Sequence, residues 1–79
     1  MNLQHLNYFI TAVNEGSISK AAEKLNPSQP SVSRHIKAFE ESLGWTLFNR
    51  GAKSVELTHE GSITYKEGLA LLKQVDQTF

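Results

Sequence analysis

Ser28-Gln29-Pro30-Ser31-Val32-Ser33-Arg34-His35-Ile36-Lys37-Ala38-Phe39-Glu40-Glu41-Ser42-Leu43-Gly44 is the stretch whose reading decides the fold. It opens on a capping residue and closes on a stop. Ser28 can accept a bond from a free first-turn amide. Pro30 needs no amide partner in a first turn. Gly44 follows the last apolar residue, as a helix-ending glycine does. Between them Val32, Ile36, Phe39 and Leu43 step by four, three and four, which is one stripe of a helix. At roughly 100° per residue, Pro30, Ser33, Arg34 and Lys37 fall on the opposite side, flanked by Gln29 at the N-terminal end. The acidic pair Glu40 and Glu41 comes last, roughly 15 Å from Pro30 at about 1.5 Å per residue.

Two readings fit a helix over 28–43 of this kind. In one, its N-terminal half enters a DNA major groove. Gln and Arg pair with base edges, Ser bonds to bases or phosphate, and the helix N-terminus favours phosphate oxygens. The carboxylates then sit at the far end from phosphate. In the other, this is the solvated face of an ordinary core helix. The flanking sequence bears on the choice.

Upstream, Leu3, Leu6, Phe9, Ile10 and Val13 recur at helical spacing and predict a first helix over 3–15, ended by Gly16. Ser17-Ile18-Ser19 then offers a cap for a short second helix running to about Leu25, and either serine fits the role. Ala21 and Ala22 permit a close helix crossing, with Leu25 as an anchor. Lys20 and Lys24 share a face, which suits a phosphate backbone and solvent equally. Asn26-Pro27 reads as a tight turn, because Pro27 cannot continue a helix. A short helix, a tight turn and a helix with a polar outer face make a helix-turn-helix, over about 18–37.

Downstream, Trp45-Thr46-Leu47-Phe48 is rich in strand formers, and Val55-Glu56-Leu57 alternates. The cationic turn between them, residues 49–54, makes the whole a hairpin wing over about 45–57. Arg50 and Lys53 lie near its tip. Such a tip reaches a minor groove or phosphates, or is simply solvated. Thr58 then caps a last helix, and Glu60 suits its positive end. Ile63, Tyr65, Leu69, Leu71, Leu72, Val75 and Phe79 occupy more than one face of it. At about 1.5 Å per residue this helix is roughly 30 Å long, more than so small a domain covers. Part is expected to pack on the first helix. Leu69, Leu72, Val75 and Phe79 are expected to meet a second copy, since a symmetric pair buries such a surplus.

The chain has 79 residues, enough for one small domain. It contains no cysteine, so disulfides and thiolate metal sites are excluded, and the composition fits a reducing cytoplasm. No signal peptide and no membrane-length apolar run is read in it. Net charge is zero, which argues against a nucleic-acid partner. The charge is unevenly placed, however. Residues 20–53 hold six cations against three carboxylates, a local +3, and Glu56, Glu60, Glu67 and Asp76 compensate outside that window. A local basic face binds phosphate on a neutral chain. His5, His35 and His59 have no metal-like spacing, and His59-Glu60 lacks the second histidine of a zinc-protease helix. No phosphate loop and no nucleophile motif is present. No metal, no cofactor and no enzyme activity is expected.

The chain resembles the N-terminal DNA-binding domain of LysR-type bacterial transcriptional regulators over essentially its whole length. The carriers are Leu6-x-Tyr8-Phe9, Gly16-Ser17-Ile18-x-x-Ala21-Ala22-x-x-Leu25, Ser28-Gln29-Pro30-Ser31-Val32-Ser33-Arg34-x-Ile36, Glu40-x-x-Leu43-Gly44, Leu47-Phe48-x-Arg50 and Leu57-Thr58-x-x-Gly61. Any one fragment is weak; all of them in order at these spacings are specific. The resemblance implies a mainly α fold, a winged helix-turn-helix over 1–58 with a small two-stranded wing, and a linker and dimerisation helix over 59–79. It implies sequence-specific binding of a roughly palindromic operator in duplex DNA by a homodimer paired through that helix, in a bacterial cytoplasm at the nucleoid. Base-reading positions fall on Gln29, Pro30 and Ser33. Phosphate and wing contacts fall on Arg34, Arg50 and Lys53, and Ser28 and Lys37 join the phosphate set by their place on the helix. The family also carries a C-terminal effector-sensing domain, usually tetramer-forming, to which nothing in these residues corresponds; a fragment and a naturally short version both fit.

Some positions depart from the family pattern. Pro27 stands where an aliphatic turn residue is usual and Trp45 where a smaller aliphatic is usual. Lys53 replaces a common Arg, exchanging a planar fork for a point charge. His59-Glu60 places an acid near the wing. The alternative to DNA is a winged helix that binds protein. An apolar patch in place of the polar face at Gln29 and Ser33 would mark that alternative.

Overall fold

The computed structural model describes residues 2–25, 32–49 and 55–78. Within them lie the helices α1 (Leu3–Glu15), α2 (Ile18–Leu25), α3 (Val32–Leu43) and α4 (His59–Thr78). Helix α1 has the bounds its periodicity predicts. Its start carries a cap that the apolar pattern does not reveal: the Asn2 side-chain oxygen accepts from the amides of Gln4 at 2.8 Å and His5 at 3.3 Å. Its end is Gly16, at φ 70°, whose amide donates to Ala12 and Val13 carbonyls. That left-handed backbone is costly for any residue with a Cβ. Of the two candidate caps for α2, Ser17 holds the position, since its hydroxyl accepts from the Lys20 amide at 3.2 Å.

Helix α1 packs against α2, α3 and α4, and supplies half of the buried core: Leu6, Tyr8, Phe9, Ile10 and Ala12. The α3 stripe meets it as read from the sequence. Val32, Ile36 and Phe39 are buried and Leu43 is half-buried. Phe9 is fully buried, and its ring lies 5.9 Å from Phe39, 5.4 Å from Phe48 and 6.5 Å from Tyr65. One side chain of α1 thus touches α3, the base of the wing and α4. Aromatic pairs at such distances add about 0.5–1.5 kcal/mol beyond their area.

The wing is shorter than the strand-forming composition suggests. Among the described residues, pairing between its two arms is a single antiparallel bridge, Phe48 to Leu57, with the Asn49 amide donating to the Glu56 carbonyl at 2.8 Å. Trp45, Thr46 and Leu47 are not in a strand. The reason is competition for the backbone. The Glu40 carboxylate accepts from the amides of Leu47 at 2.6 Å and Phe48 at 3.5 Å, and the Thr46 carbonyl accepts from the Thr58 hydroxyl at 2.7 Å. The Leu47 amide is thus turned to Glu40, while its carbonyl still accepts from the Thr58 amide at 3.0 Å. Residues 50–54, read from the sequence as the turn of the wing, lie outside the described residues, as do 26–31, which include the Asn26-Pro27 pair read as a turn.

Thr58 caps α4 as expected: its hydroxyl accepts from the Gly61 amide at 2.9 Å. Tyr65, Leu71 and Leu72 pack against the core. Gly68 is buried where α4 meets Leu6 and Ile10 of α1. No helix among the described residues is long and apolar enough to cross a membrane.

Candidate nucleic-acid interface

Residues Val32, Ile36 and Phe39 anchor α3 inward, and this fixes what the helix shows outward. Ser33, Arg34 and Lys37 are all exposed. Ser33 and Lys37 are one turn apart and Arg34 adjoins them, so the three form one polar, doubly cationic surface. Of the residues singled out on this helix, these three are brought together. Ser28, Gln29 and Pro30 lie outside the described residues, and so do Arg50 and Lys53.

The α3 surface runs on toward the wing. Ser33, Ile36, Lys37 and Glu40 line one crevice with Phe48 and Asn49. The base of the wing therefore stands beside the outward, polar side of α3.

The two lysines of α2 divide. Lys24 pairs with Glu15 of α1 at 3.3 Å, and Lys20 is exposed. His35, read as carrying no metal function, is half-buried among rings, with centroids 4.3 Å from Tyr8 and 5.1 Å from His5. It faces α1, away from Ser33 and Lys37. No cluster of three or more metal-binding side chains occurs among the described residues.

On α4, Leu69 is 40% exposed, consistent with a surface left for a partner. Leu72 is half-buried and packs on the chain's own core. The side chain of Val75, and Phe79 altogether, lie outside the described residues. Trp45 is 45% exposed, its indole N–H 3.4 Å from the Thr64 hydroxyl, and Ile63 is 46% exposed.

Comparison with known proteins places this geometry. The sequence profile of the bacterial regulatory helix-turn-helix proteins of the lysR family matches residues 3–62. This chain belongs to the LysR family. Among its relatives is the HTH-type transcriptional regulator BenM of Acinetobacter baylyi, 47% identical over 77 residues, which cover 98% of this chain and 25% of BenM. The regulator AlsR of Bacillus subtilis is 43% identical, over 98% of this chain and 26% of AlsR. The chain thus spans about a quarter of the length of these relatives. The fold superposes on the BenM DNA-binding domain in its complex with benA site 1 DNA, with TM-score 0.92 and 46% identity, covering 99% of this chain and 88% of that one. It also superposes on the CbnR DNA-binding domain in a DNA complex, with TM-score 0.89 and 31% identity, covering 99% and 90%. The LysR relatives and the fold are those of DNA-binding domains of transcriptional regulators, not of enzymes.

Residues missed by the sequence reading are Glu40 and Asn2. Asn2 had a signal, since Asn immediately before an apolar-periodic run is a cap. Glu40 had none, because its amide partners lie seven and eight residues away.

Proposed function

We propose that this chain binds duplex operator DNA as a homodimer in the control of transcription. Helix α3 lies in the major groove, with Ser28, Gln29 and Pro30 contributing from the residues before it. Gln29, Pro30 and Ser33 read bases. Ser28, Arg34 and Lys37 hold phosphate. The wing brings Arg50 and Lys53 to the minor groove or its phosphates. Two chains pair through Leu69, Leu72, Val75 and Phe79 of the linker helix, with Leu72 serving its own core as well. An effector acts through a domain outside these residues, and the site of action is the bacterial nucleoid.

The observation that carries this reading is the division of α3 itself. One side is locked into the core by Val32, Ile36 and Phe39, and the other offers Ser33, Arg34 and Lys37 to solvent beside the wing. A rigid helix with small polar and cationic groups on its free side suits both base edges and phosphate. The resemblance to domains solved on DNA supports it further.

The test is selection from a pool of random duplexes at two salt concentrations. Enrichment of a two-fold site that weakens with salt supports the reading. With Arg34, Lys37, Arg50 and Lys53 of each protomer on phosphate, eight charges per dimer give a slope of log affinity against log salt of roughly −7. Failure of the folded, dimeric chain to enrich any duplex at low salt would move the function to protein binding.

A further inference from the structure

Three of the family-like motifs lie beyond Ser33, Arg34 and Lys37 in the chain: Glu40 with Leu43-Gly44, Leu47-Phe48, and Leu57-Thr58 with Gly61. The fold brings all three to one place. Glu40, one turn beyond Lys37 on α3, holds the Leu47 and Phe48 amides with a half-buried carboxylate. The Leu47 carbonyl in turn accepts from the Thr58 amide at 3.0 Å. The Thr58 hydroxyl donates to the Thr46 carbonyl at 2.7 Å and accepts from the Gly61 amide at 2.9 Å, inside the first turn of α4. Gly61 is buried against the same loop, and a Cβ on it would overlap the Leu47 carbonyl oxygen.

Recognition helix, wing base and linker helix are therefore joined by hydrogen bonds, two of them to the Glu40 carboxylate, and by a backbone contact with no spare room. Such a joint resists rotation of α4 about α3. In a dimer held through α4, the angle between α3 and α4 decides how the two recognition helices face the duplex. Moving one half-site by one base pair turns it by roughly 34° about the duplex axis, given about 10.5 base pairs per turn. A stiff joint cannot follow that turn, and a loose one can.

We propose that Glu40, Thr58 and Gly61 are positioning residues that set the spacing between half-sites, a role that rests on the dimeric DNA-binding reading above. None of them has to touch DNA for this. Glu40 in particular, a carboxylate on the recognition helix, acts as the anchor of the wing and of the linker helix.

The experiment uses the 79-residue chain and the half-site obtained by selection, presented as pairs with the spacer varied one base pair at a time. Wild type is compared with Glu40→Ala, Glu40→Gln, Thr58→Val and Gly61→Ala, each checked by circular dichroism for folding at the assay temperature. The readout is the ratio of affinities between spacings. That ratio cancels the uniform gain any chain makes by losing an anion near phosphate, and the uniform loss from lower stability.

Wild type is expected to prefer one spacing. Glu40→Ala is expected to keep the half-site bases but flatten that preference by about tenfold, the factor that one lost hydrogen bond to a charged group carries, and Thr58→Val to flatten it by about fivefold, the factor of a neutral hydrogen bond. Glu40→Gln keeps an acceptor oxygen at the same reach and retains most of the preference. Gly61→Ala moves the optimum, because α4 must shift from Leu47. Should Glu40→Ala not fold, Thr58→Val decides. A folded variant that loses affinity equally at every spacing overturns the proposal and leaves DNA binding standing. Wild type that selects no two-fold site overturns both.

Discussion

Gly68→Ala puts two effects of opposite sign against each other in α4. Ala is the better helix former by about 0.8–1.0 kcal/mol at an interior position. Against this, a Cβ at residue 68 meets Leu6 Cδ1 at 2.7 Å and Ile10 Cδ1 at 3.2 Å. Carbon atoms at rest lie about 3.5–4.0 Å apart, so Leu6 must give by nearly an ångström. Leu6 is 0% exposed and Ile10 4%, so neither yields without disturbing its neighbours. Overpacking of this kind costs about 1–3 kcal/mol. The expected net is a destabilisation of roughly 1 kcal/mol, or a Tm lower by about 4–8 °C for a domain of this size. Thermal unfolding followed by circular dichroism measures it, with urea midpoints as a check that the m-value is unchanged. There is one way out: Leu6 also lines a groove with Phe39, Leu43, Trp45 and Leu71. A higher Tm for Gly68→Ala would mean that Leu6 turns into that groove and propensity wins, refuting the claim that α4 is seated here by close contact.

Asn2→Ala removes the α1 cap and is expected to cost about 0.5–2 kcal/mol by chemical denaturation, with no change in DNA selectivity. Ser33→Ala and Lys37→Ala are expected to separate on DNA. The first loses about 1–3 kcal/mol of discrimination at one base pair, while the second weakens all duplexes alike and, with one charge lost from each protomer, lowers the salt slope of the dimer by about two; equal losses for Ser33→Ala on operator and random duplex would falsify its base-reading role. Leu69→Glu is expected to shift sedimentation toward monomer without lowering the Tm, because that side chain lies outside the core. Lys24→Ala, breaking an exposed pair with Glu15, is expected to change stability by less than about 1 kcal/mol.

Much of this architecture is legible from local pattern. Leu3, Leu6, Phe9 and Ile10 before Gly16 specify α1 because helical periodicity and a left-handed stop are both short-range signals. The same holds for Thr58 at the head of α4, and for the inward stripe of α3 with its outward Ser33, Arg34 and Lys37. What is not legible depends on contacts between distant residues. Trp45 to Leu47 read as strand by composition, but the carboxylate of Glu40 and the hydroxyl of Thr58 occupy the backbone groups a strand would use. A glutamate near a helix end looks solvated until the chain returns to it. Leu72 looks like surplus apolar surface on the helix wheel, and only the actual crossing of α4 over α1 turns it inward. His35 likewise gains its Tyr8 and His5 neighbours from tertiary packing alone.

The split of α3 into an inward row and an outward row has a consequence for how such a chain diverges. Val32, Ile36 and Phe39 are held by packing, where even one methylene is felt. Ser33, Arg34 and Lys37 answer to no neighbour in the core, so exchanging them leaves the scaffold's stability nearly untouched. Drift is slow along one edge of the helix and nearly free along the other. A gene duplicate can therefore acquire a new target within a few substitutions on a single helix, while its frame stays superimposable on that of its parent.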